Sequence, residues 1–212
     1  LSQRQKKRQR PTDMEIKPGN TVSLKEIITF LNHEGAGKQF FPAVDISDFG
    51  SDYLRGLAPG DLYVACRGSD IMGVVAGWDQ GGFRQNIVSG YGGALKFLRH
   101  PLNLLLKLTG RRPLPKPGRS LNLLYAAFVC IRNNDPAVLR YLLDQMCYDR
   151  RNSDYHHILV GLHEKDRLRD AMESFPCFRY ESRLYVVCWD DGMEFYRSLD
   201  RQRVPHLELA SL

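Results

Sequence analysis

Cysteine is scarce in these 212 residues, and the five present (Cys66, Cys130, Cys147, Cys177, Cys188) include no Cys-x-x-Cys pair. An odd number without ligand spacing argues against a disulfide framework or a zinc ribbon, and predicts free thiols in a reducing, cytoplasmic setting. No apolar run approaches the roughly 20 residues of a membrane-spanning helix. The charged opening residues lack the apolar stretch of a secretory signal. Collagen-like repeats and low-complexity tracts are missing as well. Acid is absent from two stretches. Residues 1–10 carry five bases and no acid, and residues 82–119 carry eight (Arg84, Lys96, Arg99, Lys107, Arg111, Arg112, Lys116, Arg119) and no acid. The remainder is net acidic, so the overall charge of +6 is concentrated in two patches.

What is present suits one globular domain: 43% apolar and 25% charged residues, on a chain long enough to bury a large core. Residues 1–13 read as a basic tail and 14–212 as a single domain with a basic insertion at 82–119. Within the domain, Met14 to Lys17 alternates and stops at Pro18-Gly19, a short strand. Leu24, Ile27, Ile28 and Leu31 have helical spacing behind Thr21 and Ser23. Phe49, Tyr53, Leu54 and Leu57 predict a second helix over 48–57. A hairpin follows, with strands 61–66 and 71–78 about the Arg67-Gly68-Ser69-Asp70 turn. The glycines of its second strand imply a bulge or a close backbone approach. The insertion combines apolar and basic residues over 95–108, interrupted by Pro101, ahead of a Pro/Gly linker. Beyond it, 121–131 is a nearly continuous apolar run, suited to a strand covered on both faces. A helix over 137–147, a strand over 157–162, a short helix over 166–174, a strand over 183–189 and a last strand over 205–210 complete the order. Six or seven strands are expected in one sheet.

Strand, helix and strand between 121 and 162 form a βαβ unit, whose strands should be parallel neighbours. The turn inside it reads Arg132-Asn133-Asn134-Asp135-Pro136-Ala137, ahead of Val138-Leu139-Arg140-Tyr141-Leu142-Leu143. This order of elements, with this turn, resembles the GNAT superfamily of acyl-CoA N-acyltransferases over residues 14–212. The resemblance implies an α/β (α+β) fold with a central, mostly antiparallel sheet, one parallel splayed strand pair and flanking helices. In that superfamily the turn reads Arg/Gln-x-x-Gly-x-Gly/Ala, and its N–H groups and helix N-terminus bind the coenzyme A diphosphate. Arg132 and Ala137 match. Asp135 stands where the first glycine is expected, and Pro136 has no N–H to give. Asp-Pro is equally a good N-cap and first helical residue, so a cofactor loop and a plain helix start both remain open.

By this resemblance acetyl-CoA, or another acyl-CoA, is the co-substrate. Ala127, Phe128 and Val129 would meet its pantetheine arm, and Arg132, Asn133, Asn134, Ala137 and Val138 its diphosphate. The superfamily's tyrosine acid has its nearest equivalent in Phe175, which has no proton to donate. Placement at strand positions makes His163 and Tyr125 the candidate catalytic residues, His163 as a base with a neutral-range pKa. His156 and His157 adjoin no Cys or carboxylate at ligand spacing, so no metal is expected. The expected partners are a small-molecule or peptide amine, an anionic membrane touched weakly through 95–112, and a second copy in a homodimer, with no specific nucleic acid. Two functions compete: an acyltransferase acting on an amine, and a catalytically silent GNAT-like module that binds CoA, an acyl carrier or a protein.

Overall fold

The computed structural model describes residues 13–108 and 112–211. The elements are β1 (Glu15–Pro18), α1 (Leu24–Gly35), β2 (Leu62–Arg67), β3 (Asp70–Asp79), α2 (Leu95–Leu108), β4 (Leu123–Ile131), α3 (Pro136–Asp149), β5 (His157–Val160) and α4 (Met193–Ser198), with short 3-10 turns between them. The five strands form one sheet in the order β1-β2-β3-β4-β5. β1 to β4 pair antiparallel, and β4 and β5 pair parallel, with Leu123 opposite His157 and Ala126 opposite Val160.

One helix covers each face. α1 buries Ile27, Ile28, Phe30 and Leu31 beside Val64, Val74, Ala76, Ala127 and Phe128. α3 buries Val138, Leu139, Leu142, Leu143 and Met146 beside Ala65, Val75, Leu124, Ala126 and Val129. The central strands are therefore apolar on both sides, which accounts for the unbroken run in β4. A Cβ added at Gly73 would lie 2.7 Å from Ile131 Cδ1 and 3.0 Å from Val138 Cγ1, so this glycine lets α3 close onto the sheet.

The sheet has five strands, where six or seven were expected, and three segments account for the difference in architecture. Residues 48–57 are not a helix: a 3-10 turn ends at Asp48, and Gly50 (φ 93°) and Gly56 (φ 77°) take left-handed conformations that no helix admits. Leu54 and Leu57 are still buried there, as loop anchors. Residues 183–189 are irregular and exposed. β5 is only four residues long, and what meets its first residue is the Phe178 ring, edge-on to His157 at 6.0 Å. Residues 205–210 make a single bridge, Pro205 to Gln39, and then turn into a 3-10 turn at Leu209–Ser211. They are held by side chains instead of a ladder. The short helix expected over 166–174 is a 3-10 helix, Arg167–Ser174, capped by Asp166, whose Oδ1 accepts the Leu168 N–H at 2.9 Å. The tail of residues 1–12 lies outside the described residues.

Candidate functional site: a wedge between two parallel strands

β4 and β5 stay paired only as far as Ala126 and Val160; β4 then runs on to Ile131 with no strand paired to it on that side among the described residues. At the point of parting, β4 carries a bulge. Val74 faces Cys130 but Ala76 faces Ala127, so three steps along β4 match two along β3. Phe128 takes up the extra residue with φ 51°. Strand alternation breaks there: Ala127 and Phe128 both face the α1 side, and the Phe128 ring stacks on Trp78 at 6.3 Å.

The bulge removes the Phe128 N–H from the ladder, and a buried backbone donor needs a partner. Its partner is Glu208, whose Oε2 accepts it at 2.6 Å, while Oε1 accepts the Ala210 N–H at 3.2 Å. Both the donor and the carboxylate are buried. The segment bearing Glu208 is anchored on both sides. Gln39 donates to Val204 O (3.0 Å) and accepts from His206 N–H (2.7 Å), and the Gln80 side chain donates to Ala210 O at 2.6 Å. Leu209 packs against Gly161, just past the end of β5. His206 is buried against the Phe41 ring at 4.7 Å; its Nε2 lies 3.7 Å from Glu208 Oε2 and makes no hydrogen bond. Nearby, Lys38 Nζ and Asp166 Oδ2 form a buried ion pair at 2.8 Å, tying the chain after α1 to the turn after β5.

One turn further along the chain lies the α3 N-terminus. Asn133 (φ 55°) and Asn134 (φ 47°) are both left-handed, conformations that asparagine tolerates. Asp135 is the N-cap: its Oδ1 accepts the Ala137 N–H at 2.9 Å, and Pro136 opens the helix. The Arg132 guanidinium lies over the Phe30 ring at 5.7 Å, with Nε 3.8 Å from Glu34 Oε1. Arg132 Nε and Asn134 Oδ1 are buried without hydrogen-bond partners. A diphosphate would find a cation and an unused donor in Arg132. At the helix end itself it would meet the Asp135 carboxylate and a proline without an N–H.

Tyr125 is buried in β4, three residues before the bulge, with its hydroxyl 3.5 Å from Asn86 Nδ2 and Arg84 over its ring at 5.2 Å. It lines a polar cavity of about 370 Å³ shared with Asp79, Arg150, Asp154 and Tyr155. Tyr155 donates to Asp79 Oδ2 at 2.8 Å; burial, then that bond, pushes its pKa up to about 12. His163 follows β5, and its Nδ1 accepts the Lys165 N–H at 3.2 Å, which closes its own turn. Among the described hydrogen bonds none joins His163 to Tyr125. Burial pushes the thiol of Cys130, on β4, up to about 12. His156 and His157 are both shifted down, chiefly by burial. Among the described residues no group of His, Cys, Asp or Glu could hold a metal ion.

Glu208 and His206 escaped the sequence reading. Their signal was faint: an acid at the centre of an apolar run, Leu207-Glu208-Leu209-Ala210, where a solvated strand face is the ordinary explanation.

The sheet order, the single parallel pair and the flanking helices make a mixed α/β fold of the kind that the resemblance to GNAT enzymes implies. Among solved structures the chain is similar to an aminoglycoside acetyltransferase from an uncultured soil metagenomic sample, determined in complex with trehalose (TM-score 0.46, 11% identity, 84% of this chain and 97% of that one). It is similar also to an acetyltransferase of Trypanosoma brucei (TM-score 0.43, 16% identity, 82% of this chain and all of that one). No protein-family profile matches the chain, and no curated protein does.

Proposed function

We propose that the chain is an acyl-CoA-dependent N-acyltransferase, acting on an amine of a small molecule or peptide at the wedge. The observation that supports this is the Phe128 N–H: a backbone donor turned out of the sheet where β4 and β5 part, already holding an anionic oxygen. A donor of that kind stabilises the charge that develops on a carbonyl oxygen during acyl transfer. Acyl-CoA, when bound, supplies the activated thioester. In this reading the acyl oxygen replaces Glu208 Oε2 on Phe128, with Ala127 and Val129 alongside. Glu208 would swing aside by a side-chain rotation and take the proton that the attacking amine sheds, while the thioester C–S bond breaks and CoA leaves as the thiolate, to be protonated by solvent. Arg132 holds the nearer phosphates. Among the described residues no cysteine forms a disulfide, which accords with a cytoplasmic setting.

A silent module is the second reading, and it draws on Asp135 and Pro136, which deny the helix end to a diphosphate. One experiment separates the two: calorimetric titration of acetyl-CoA, alongside thiol release from acetyl-CoA with a panel of amines. Binding that Arg132→Ala weakens and Asp135→Gly tightens, with amine-dependent thiol release, supports the enzyme. No binding at millimolar acetyl-CoA by wild type or Asp135→Gly retires it in favour of the module.

A further inference from the structure

Outside the wedge, the largest feature without a role is the insertion. α2 buries none of its residues. Its polar edge is engaged: Asn103 Nδ2 donates to Leu114 O at 3.1 Å, Asn103 Oδ1 accepts the Leu114 N–H at 2.7 Å, and Arg99 donates to Pro115 O at 3.4 Å. Through Arg112, bonded to Asp154 at 3.0 Å, the loop on that edge is tied to the body of the domain. The opposite face therefore points away from the protein. Phe97 and Leu108 are each 77% exposed, Leu98 is also open to solvent, and the exposed Leu104 stands at the border of this face, where it also lines the cavity beside the polar edge. Beside the polar edge, a cavity of about 550 Å³ is lined by Arg99, His100, Lys107, Arg112, Lys116 and His156 and by no acid.

We propose that α2, with the basic residues 112–119 beside it, is an interfacial anchor that lays the protein on a lipid bilayer bearing anionic headgroups. The apolar face enters the acyl boundary and the bases flanking it meet the headgroup phosphates, the arrangement of a helix lying in a membrane plane. Charge complementarity decides the occupant. No acid interrupts residues 82–119, while the body of the chain is net acidic and would be repelled by the same surface. The anchor thus also orients the domain, with the insertion down and the body held off. The proposal does not depend on acyl transfer.

Flotation of the full chain with phosphatidylcholine vesicles, plain or with 30% phosphatidylserine, is the test. The wild type should float with the anionic vesicles only. The Phe97→Ser/Leu104→Ser/Leu108→Ser variant, its melting temperature unchanged, should bind at least roughly tenfold more weakly. Lys96→Glu/Lys107→Glu, which leaves the apolar face intact, should also lose the anionic preference. Three outcomes overturn the proposal. One is no flotation of wild type on anionic vesicles. Another is undiminished flotation of the folded apolar variant, which would assign binding to the basic residues 1–10. The last is absence of flotation with either dimerisation that the apolar variant abolishes or salt-labile oligonucleotide binding, which would give the face to a second copy or to nucleic acid.

Discussion

Glu208 and Asp135 perform one task at two places: each carboxylate accepts an N–H that a bend in the chain has left over. Removing them should have different consequences because only Glu208 is buried. Glu208→Ala strands the Phe128 N–H, which should lower stability by about 1–3 kcal/mol in urea denaturation. It should also raise acetyl-CoA affinity while slowing turnover, since the donor is vacated and the base is lost. Asp135→Gly should cost only a few tenths of a kcal/mol as a cap replacement, while tightening acetyl-CoA binding by about a factor of ten, the worth of one restored charge-assisted contact. Lys38→Met leaves Asp166 charged and unpaired in the interior and should cost about 3–5 kcal/mol. Thiol labelling offers a check on burial. At pH 8 iodoacetamide should modify the exposed Cys177 and Cys188 quickly and spare Cys66 and Cys130 until the protein unfolds, as mass spectrometry of the digest would show.

At the level of elements, hydrogen exchange should find α2 far less protected than β4, since no residue of the one is buried while all but the first residue of the other are. Gly73→Val should loosen α3 from the sheet, at about 1–3 kcal/mol for the overpacking. The elements that the sequence made legible are those whose apolar pattern has a single use. β4 reads as a strand because it is covered twice, α3 because Asp135 and Pro136 mark its start, and the 62–79 hairpin because a polar turn divides two β-rich runs. Residues 48–57 misled because Leu54 and Leu57 are spaced as on a helix yet anchor a loop bent by Gly50 and Gly56. Residues 183–189 misled differently: a strand needs an edge to join, and an apolar run in the sequence says nothing about whether one is offered. The wedge followed from the βαβ unit; its bulge did not, because an extra residue in a uniformly apolar run leaves no compositional trace.

For the whole molecule, the wedge is closed by residues far away in sequence. Phe128, Glu208, Gln39 and Gly161 come from four separate parts of the chain, so the site exists only once the sheet, the loop after α1 and residues 204–211 are all in place. Ligand binding there should accordingly protect the entire domain, and acetyl-CoA should raise the melting temperature of Glu208→Ala by more than that of wild type.

The two tryptophans of the chain occupy opposite surroundings. Trp78 is 2% exposed, its indole N–H bonded to Arg55 O at 2.9 Å and its ring on Phe128, whereas Trp189 is 86% exposed. Acrylamide or iodide will therefore extinguish the red-shifted emission of Trp189 and leave the blue emission of Trp78 behind. What survives the quencher is light from one indole stacked on Phe128, the residue whose N–H holds Glu208, so the displacement of Glu208 proposed above should be visible in the native protein without attaching a dye.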